Sequence, residues 1–265
     1  MTTISAAISA NGIAINYRLE GPDDGPVVML SNSLMSNFSM WDAQVPALAR
    51  RYRVLRYDTR GHGATEASPP PYSIDLLVDD ARALLDALNI GSVHFVGLSL
   101  GGMIGQLFAV RHPTLLKSLV LCDTSSHMPP EALWDDRIRT AENNGLDAMA
   151  PATIERWFTE PFRERNAAEI ERIGRMIRKT DLAGYVGCCR AIQAMNQTAI
   201  LSAITTPTLI VVGADDPATP VASSETIHRA IAGSELVILD DAAHLANIEQ
   251  PEAFNRAVIA FLDRN

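Results

Sequence analysis

The chain alternates short apolar runs with amphipathic helical stretches, and this rhythm restricts it to few architectures. Residues 27–30, 54–57, 93–98, 116–121, 209–212 and 236–239 are brief, apolar and rich in β-branched side chains, the pattern of strands buried on both faces. Between most of them, residues 74–88, 100–112, 224–232 and 251–262 carry helical periodicity. Strand followed by helix followed by strand implies crossovers around a largely parallel sheet. Ahead of this core, residues 3–19 read as two alternating strands around Asn11-Gly12, a dipeptide that tolerates positive φ and suits a tight hairpin. The expected fold class is α/β, opened by antiparallel structure.

Residues 125–204 break the rhythm. They hold no convincing strand but several amphipathic stretches, at 131–143, 153–158, 166–179 and 182–197. A helical insertion between two core strands would sit over the carboxyl ends of the sheet, where open α/β sheets form their ligand crevice. The expected division is therefore a core of residues 1–124 and 205–265 with a helical cap over 125–204.

Charge and cysteine usage narrow the function. The net charge is −9 and the 22 basic residues form no long cationic run, so neither nucleic acid nor an anionic membrane is an expected partner, and a small molecule is. Oligomeric state is left open. The first ten residues lack a basic and then apolar leader pattern, and no apolar run approaches the roughly 18 residues that cross a bilayer. A cytoplasmic protein is expected. Cys122, Cys188 and Cys189 are odd in number with two adjacent, which fits a reducing compartment. Neither they nor the six histidines have metal-ligand spacing, so no metal and no cofactor are expected.

The most specific motif is Gly97-Leu98-Ser99-Leu100-Gly101-Gly102, which follows the apolar run 93–96 and precedes a helix. Glycines two before and two after a serine remove side chains where strand and helix approach, leaving the hydroxyl on a strained turn at a helix amino terminus. A serine hydroxyl attacks at neutral pH only when a base takes its proton. His244 suits that task, because it lies on a loop after the last strand. His228 reads as a surface-helix residue, and His94, His112 and His62 as structural; His127 follows a core strand and could line the pocket. The imidazole needs a carboxylate to fix its tautomer, and Asp216 in Gly213-Ala214-Asp215-Asp216-Pro217 keeps the order serine, acid, histidine. Asp215 and Asp123 are the alternatives. The oxyanion needs two donors: the backbone N–H of Leu100, next after the serine, and one from 31–35, where that of Leu34 is preferred.

These residues resemble the α/β-hydrolase superfamily and, within it, the 3-oxoadipate enol-lactonases. The resemblance rests on Leu30-Ser31-Asn32-Ser33-Leu34, Ser39-Met40-Trp41-Asp42, Tyr57-Asp58-Thr59-Arg60-Gly61-His62-Gly63, the serine motif and the Asp216 and His244 loops. It implies a mostly parallel eight-stranded sheet flanked by helices, with a helical cap. Asn32-Ser33 stands where the superfamily commonly has His-Gly, and this replacement resembles the lactonases in particular; Met35 stands where a glycine is expected. The implied substrate is 3-oxoadipate enol-lactone, a ring ester bearing a carboxymethyl group, in aromatic-compound breakdown. Arg137, Arg139 and Arg190 are candidates to hold its carboxylate, although exposed helix charges commonly have no such role. Trp134 could wall the pocket or simply pack cap against core. Other readings are a carboxylesterase or perhydrolase with the same three residues, and a ligand-sensing protein with little turnover. A dehalogenase or epoxide hydrolase would need a carboxylate where Ser99 stands.

Overall fold

The computed structural model describes residues 2–265, so Met1, where the expected core segment begins, lies outside the described residues. Eight strands among the described residues form one sheet: β1 (Thr2–Ala10), β2 (Ile13–Gly21), β3 (Val27–Ser31), β4 (Arg53–Tyr57), β5 (Val93–Leu98), β6 (Leu116–Cys122), β7 (Thr208–Gly213) and β8 (Glu235–Leu239). Their order is β1-β2-β4-β3-β5-β6-β7-β8. β1 and β2 pair antiparallel, as do β2 and β4, and every later pairing is parallel. The opening hairpin turns at Asn11 and Gly12, both at positive φ (46° and 76°), as the dipeptide leads one to expect.

Ten α-helices are described: α1 (Val45–Leu48), α2 (Ile74–Ala87), α3 (Leu100–Arg111), α4 (Glu131–Trp157), α5 (Glu160–Arg165), α6 (Ala167–Arg178), α7 (Leu182–Ala194), α8 (Val221–Ala230), α9 (Ala246–Glu249) and α10 (Pro251–Leu262). β5 is buried along its whole length, and α3 packs directly on it with Phe95 and Phe108 stacked 5.6 Å apart. Parallel strands run their carboxyl ends to one edge, so the loops after β3, β5, β6, β7 and β8 meet there.

Helices α4 to α7 fill the interval between β6 and β7. The stretches 131–143 and 153–158 prove to belong to one helical run, interrupted at Gly145, whose backbone (φ 73°, ψ 170°) is not helical. Sequence periodicity loses phase across such a break, which is why residues 144–152 did not read as helix. The insertion meets the core where Gly184 of α7 faces Gly61: a Cβ on Gly184 would stand 2.4 Å from the Gly61 carbonyl oxygen, so only glycine fits. No helix of the described residues is long and apolar enough to cross a membrane.

The buried Arg60–Asp80 pair ties the hairpin to α2. Arg60 Nε donates to Asp80 Oδ2 at 2.8 Å, its terminal nitrogen donates to Oδ1, and Asn11 Nδ2 donates to Oδ1 at 2.7 Å. Removing one partner strands the other charge away from water, at a cost of about 3–5 kcal/mol. Asp80→Ala is therefore expected to lower the melting temperature by on the order of 10 °C in a thermal melt, and an unchanged melt would contradict this role.

Candidate active site

Ser99 lies between β5 and α3 with φ 56° and ψ −113°, a conformation a residue with a side chain holds only under constraint. The constraint is the closeness of the backbones around it. A Cβ on Gly97 would stand 2.2 Å from the Gly101 carbonyl oxygen, and one on Gly101 would stand 2.2 Å from that of Ser31. The Ser99 N–H donates to the Cys122 carbonyl at 2.9 Å, and the Thr124 hydroxyl donates to the Ser99 carbonyl at 2.7 Å, so β6 holds the turn from one side. Gly101 N–H donates to the Asn32 carbonyl at 3.0 Å from the other. Leu100 begins α3, and the first-turn N–H groups of a helix have no intrahelical partner.

His244 and Asp216 meet as expected. His244 Nδ1 and Asp216 Oδ2 are 2.8 Å apart and both residues are buried. Asp216 is held by three further donors: Ala218 N–H (2.7 Å) and Thr219 N–H (3.1 Å) on Oδ1, and the Thr219 hydroxyl (2.6 Å) on Oδ2. Burial opposes its ionisation, but the facing His244 and the Thr219 donors outweigh burial and hold the carboxyl below its ordinary value. Asp215 is exposed. Asp123 is buried beneath, accepts the Gly213 N–H at 2.8 Å through Oδ1, and has no partner for Oδ2. Burial and then the Asp216 charge push its carboxyl well above the usual range. The geometry thus separates the two candidate acids: Asp216 contacts the imidazole as a carboxylate, and Asp123 braces the strand end. His62 and His94 are buried, with Nδ1 against the Arg60 carbonyl and the Ser118 hydroxyl, and burial drives each down to about 4.

Ser99, His244, Leu34 and Trp134 line one small cavity of about 50 Å³, with Ser33, Met35, Arg137, Arg156, Trp157 and Tyr185 among its other walls. Asn32 fixes the loop beneath: its side chain donates to the Tyr57 carbonyl at 2.7 Å and accepts from Trp41 Nε1 at 2.9 Å. Met35 takes φ 62°, adopting the left-handed backbone for which glycine was expected. Trp134 is both wall and packing, for it is 2% exposed, donates to the Met128 carbonyl at 2.9 Å, and carries the Arg137 guanidinium 4.7 Å from its ring centre.

Three of the open candidates lie outside the cavity, Arg139 and Arg190 as the exposed helix charges that are the commoner reading. His127 is exposed and does not line the cavity; its neighbour Met128 does. Arg139 and Arg190 are surface residues paired with Asp136 and Asp135. In their place stands Arg156, which sequence reasoning passed over. It lines the cavity, its one hydrogen bond goes to Thr153 Oγ1 at 3.2 Å, and no carboxylate lies within ion-pairing distance of it or of Arg137 among the described residues. Burial, then the neighbouring charge of Arg137, lowers its pKa, yet a guanidinium stays protonated at neutral pH. Trp157, 6.4 Å from the His244 ring, was also missed. Both lie in a stretch whose periodicity shows a helix face but not what that face opposes.

The sheet order, the strained serine turn and the acid–histidine contact at one edge define an α/β hydrolase. Residues 26–251 match the model of the alpha/beta hydrolase fold family, and the chain belongs to that family. A protein named 3-oxoadipate enol-lactonase 2 from Acinetobacter baylyi is 36% identical over 257 residues, 97% of this chain and 96% of that protein. The crystal structure of the enol-lactonase from Burkholderia xenovorans superposes with a TM-score of 0.95 at 38% identity, covering 97% of this chain and 99% of that one. A candidate carbamate hydrolase of Agrobacterium fabrum is 31% identical over 258 residues, 94% of this chain and 98% of that protein.

The two buried acids are separable by experiment. Asp216→Asn is expected to lower kcat about 10⁴-fold by leaving the imidazole in the wrong tautomer, whereas Asp123→Asn keeps kcat within about tenfold because Asp123 bonds the Gly213 N–H and does not contact the imidazole. Steady-state kinetics on an aryl ester decides between them, and equal losses would refute the assignment.

Proposed function

We propose that the protein hydrolyses 3-oxoadipate enol-lactone to 3-oxoadipate through an acyl-enzyme on Ser99, with His244 as base and Asp216 orienting it. The observation that carries this reading is the pairing, in one cavity, of the Ser99 and His244 side chains with two guanidiniums that have no carboxylate partner. The first pair suits attack on an ester carbonyl. The second suits a substrate that brings its own carboxylate, and a free carboxymethyl group is what this lactone adds to a plain ring ester. The names of the Acinetobacter and Burkholderia relatives support the same substrate.

In this mechanism the Ser99 hydroxyl attacks the ring carbonyl as His244 Nε2 takes its proton. Charge collects on the carbonyl oxygen, where the backbone N–H groups of Leu34 and Leu100 are the proposed donors. Collapse of the tetrahedral adduct breaks the ring C–O bond. The enolate released stays tethered through the acyl group, His244 returns the proton to its oxygen, and the enol ketonises. Water, deprotonated by His244, then cleaves the acyl-enzyme. Asp216 stabilises the imidazolium formed in each half. Arg156 and Arg137 hold the distant carboxylate. The reaction consumes one water and needs no cofactor; the expected partner is this small substrate, and the expected compartment the cytoplasm.

The Agrobacterium relative supports a second reading, hydrolysis of a carbamate or simple ester by the same three residues. Loss of enol-lactone ultraviolet absorbance distinguishes them. Wild type should open the lactone much faster than it cleaves an uncharged aryl ester, and Ser99→Ala should lower turnover by several orders of magnitude while remaining folded. Arg156→Gln should raise KM for the lactone about 10- to 100-fold, the worth of one charged hydrogen bond, without changing KM for the aryl ester. Ester cleavage without lactone opening would reject the substrate, and activity in folded Ser99→Ala would reject the nucleophile.

A further inference from the structure

The segment carrying His244 is fastened to the helical insertion on both sides of the imidazole. Glu249, the last residue of α9, is buried and uses both carboxylate oxygens at this junction. Its Oε1 accepts the Thr159 N–H at 2.9 Å and the Thr159 hydroxyl at 2.8 Å, and its Oε2 accepts the Ala243 N–H. Thr159 stands at the N-cap position of α5 but turns its hydroxyl to Glu249 instead of to the helix, and Ala243 immediately precedes His244. On the far side, the Leu245 N–H donates to the Trp157 carbonyl at 3.1 Å, while the Trp157 ring lies tilted beside the imidazole, 6.4 Å from it centre to centre. Residues 157–159 therefore grip residues 243–245 at two points.

That grip matters because the cavity is small and walled largely by the insertion. About 50 Å³ is small beside the roughly 300–1,000 Å³ of sites that take drug-sized ligands. Trp134, Arg137, Arg156, Trp157 and Tyr185, all on α4 and α7, form much of its wall. A substituted ring ester enters when this wall yields. Any shift of residues 157–159 then either breaks the bonds to Glu249 and Leu245 or carries His244 with it.

We propose that Glu249 is a positioning residue that couples the position of the helical insertion to placement of His244, so that the imidazole moves with the wall of the cavity. The coupling rests on the reading of His244 as the base for Ser99. A carboxylate suits the junction because three donors converge on it and it accepts from all three; glutamine would turn an NH₂ against one of them. Burial raises the Glu249 carboxyl above its ordinary value, and the same three donors oppose that rise.

The test compares wild type, Glu249→Gln, Thr159→Val and the double variant on an aryl ester, a substrate cleaved under either reading of specificity. Competent enzyme is counted by complete labelling with a fluorophosphonate, so that misfolded protein does not enter kcat. Misplacing the base is expected to lower kcat per labelled site by about 10- to 100-fold in Glu249→Gln, with KM within about threefold of wild type. Thr159→Val should lower it several-fold, and the double variant should be no worse than Glu249→Gln alone, because both act through one link. A kcat per labelled site within about twofold of wild type in Glu249→Gln, or effects that simply multiply, would reduce Glu249 to a structural role. Should Glu249→Gln fail to fold, Thr159→Val decides alone: a several-fold fall in kcat supports the coupling and an unchanged kcat overturns it. Full activity in Ser99→Ala would sink the nucleophile reading and the coupling with it, a result distinct from an unaffected Glu249→Gln in an enzyme that Ser99→Ala disables.

Discussion

The close approach of three backbones around Ser99 is the constraint on which the rest of the site depends. Strand β5, helix α3 and the loop after β3 meet so tightly that Gly97 and Gly101 have no room for a Cβ, and Ser99 is held at φ 56° as a result. The strain is sustained by bonds reaching in from both neighbouring strands, through the Cys122 and Asn32 carbonyls and the Thr124 hydroxyl. A parallel sheet makes this possible, because it brings all of these strand ends to one edge. The same geometry sets the Asn32–Ser33–Leu34 segment beside the amino terminus of α3, where unpaired N–H groups favour negative charge.

Electrostatics then sort three buried carboxyls by task. Asp216 has His244 and the Thr219 donors and stays ionised; Asp123 has one backbone donor and a like charge nearby, and is pushed toward the neutral form. Glu249 has three donors from two separate segments and works as a fastener. Position alone does not separate Asp216 from Asp123, since both follow sheet strands. The difference lies in the partners that each finds.

The sequence made the core and the serine turn legible because both obey local rules. Doubly buried strands need apolar runs, the hairpin needs Asn11-Gly12, and the turn at Ser99 needs its flanking glycines. Asp216 and His244 were legible through chain order and loop position. The wall of the cavity was not. Arg137, Arg139 and Arg190 look alike in sequence, and only the packing of α4 against α7 shows that Arg137 faces inward while the other two pair on the surface. Arg156 and Trp157 sit beyond the break at Gly145, where helical phase restarts and the inward face cannot be carried over from the preceding turns. His127 follows a core strand as an active-site residue would, yet it turns outward where its segment bridges to Asn196.

The central claim is a covalent intermediate on Ser99 from a ring-opened substrate, and an acid-quenched single turnover read by peptide mass spectrometry tests it most directly. Opening a lactone keeps the departing oxygen in the acyl group, so the account predicts a Ser99 peptide heavier by the whole mass of the lactone. That adduct should form and decay within one turnover. A lactone consumed with no adduct at any time, or an adduct on another residue, would contradict it.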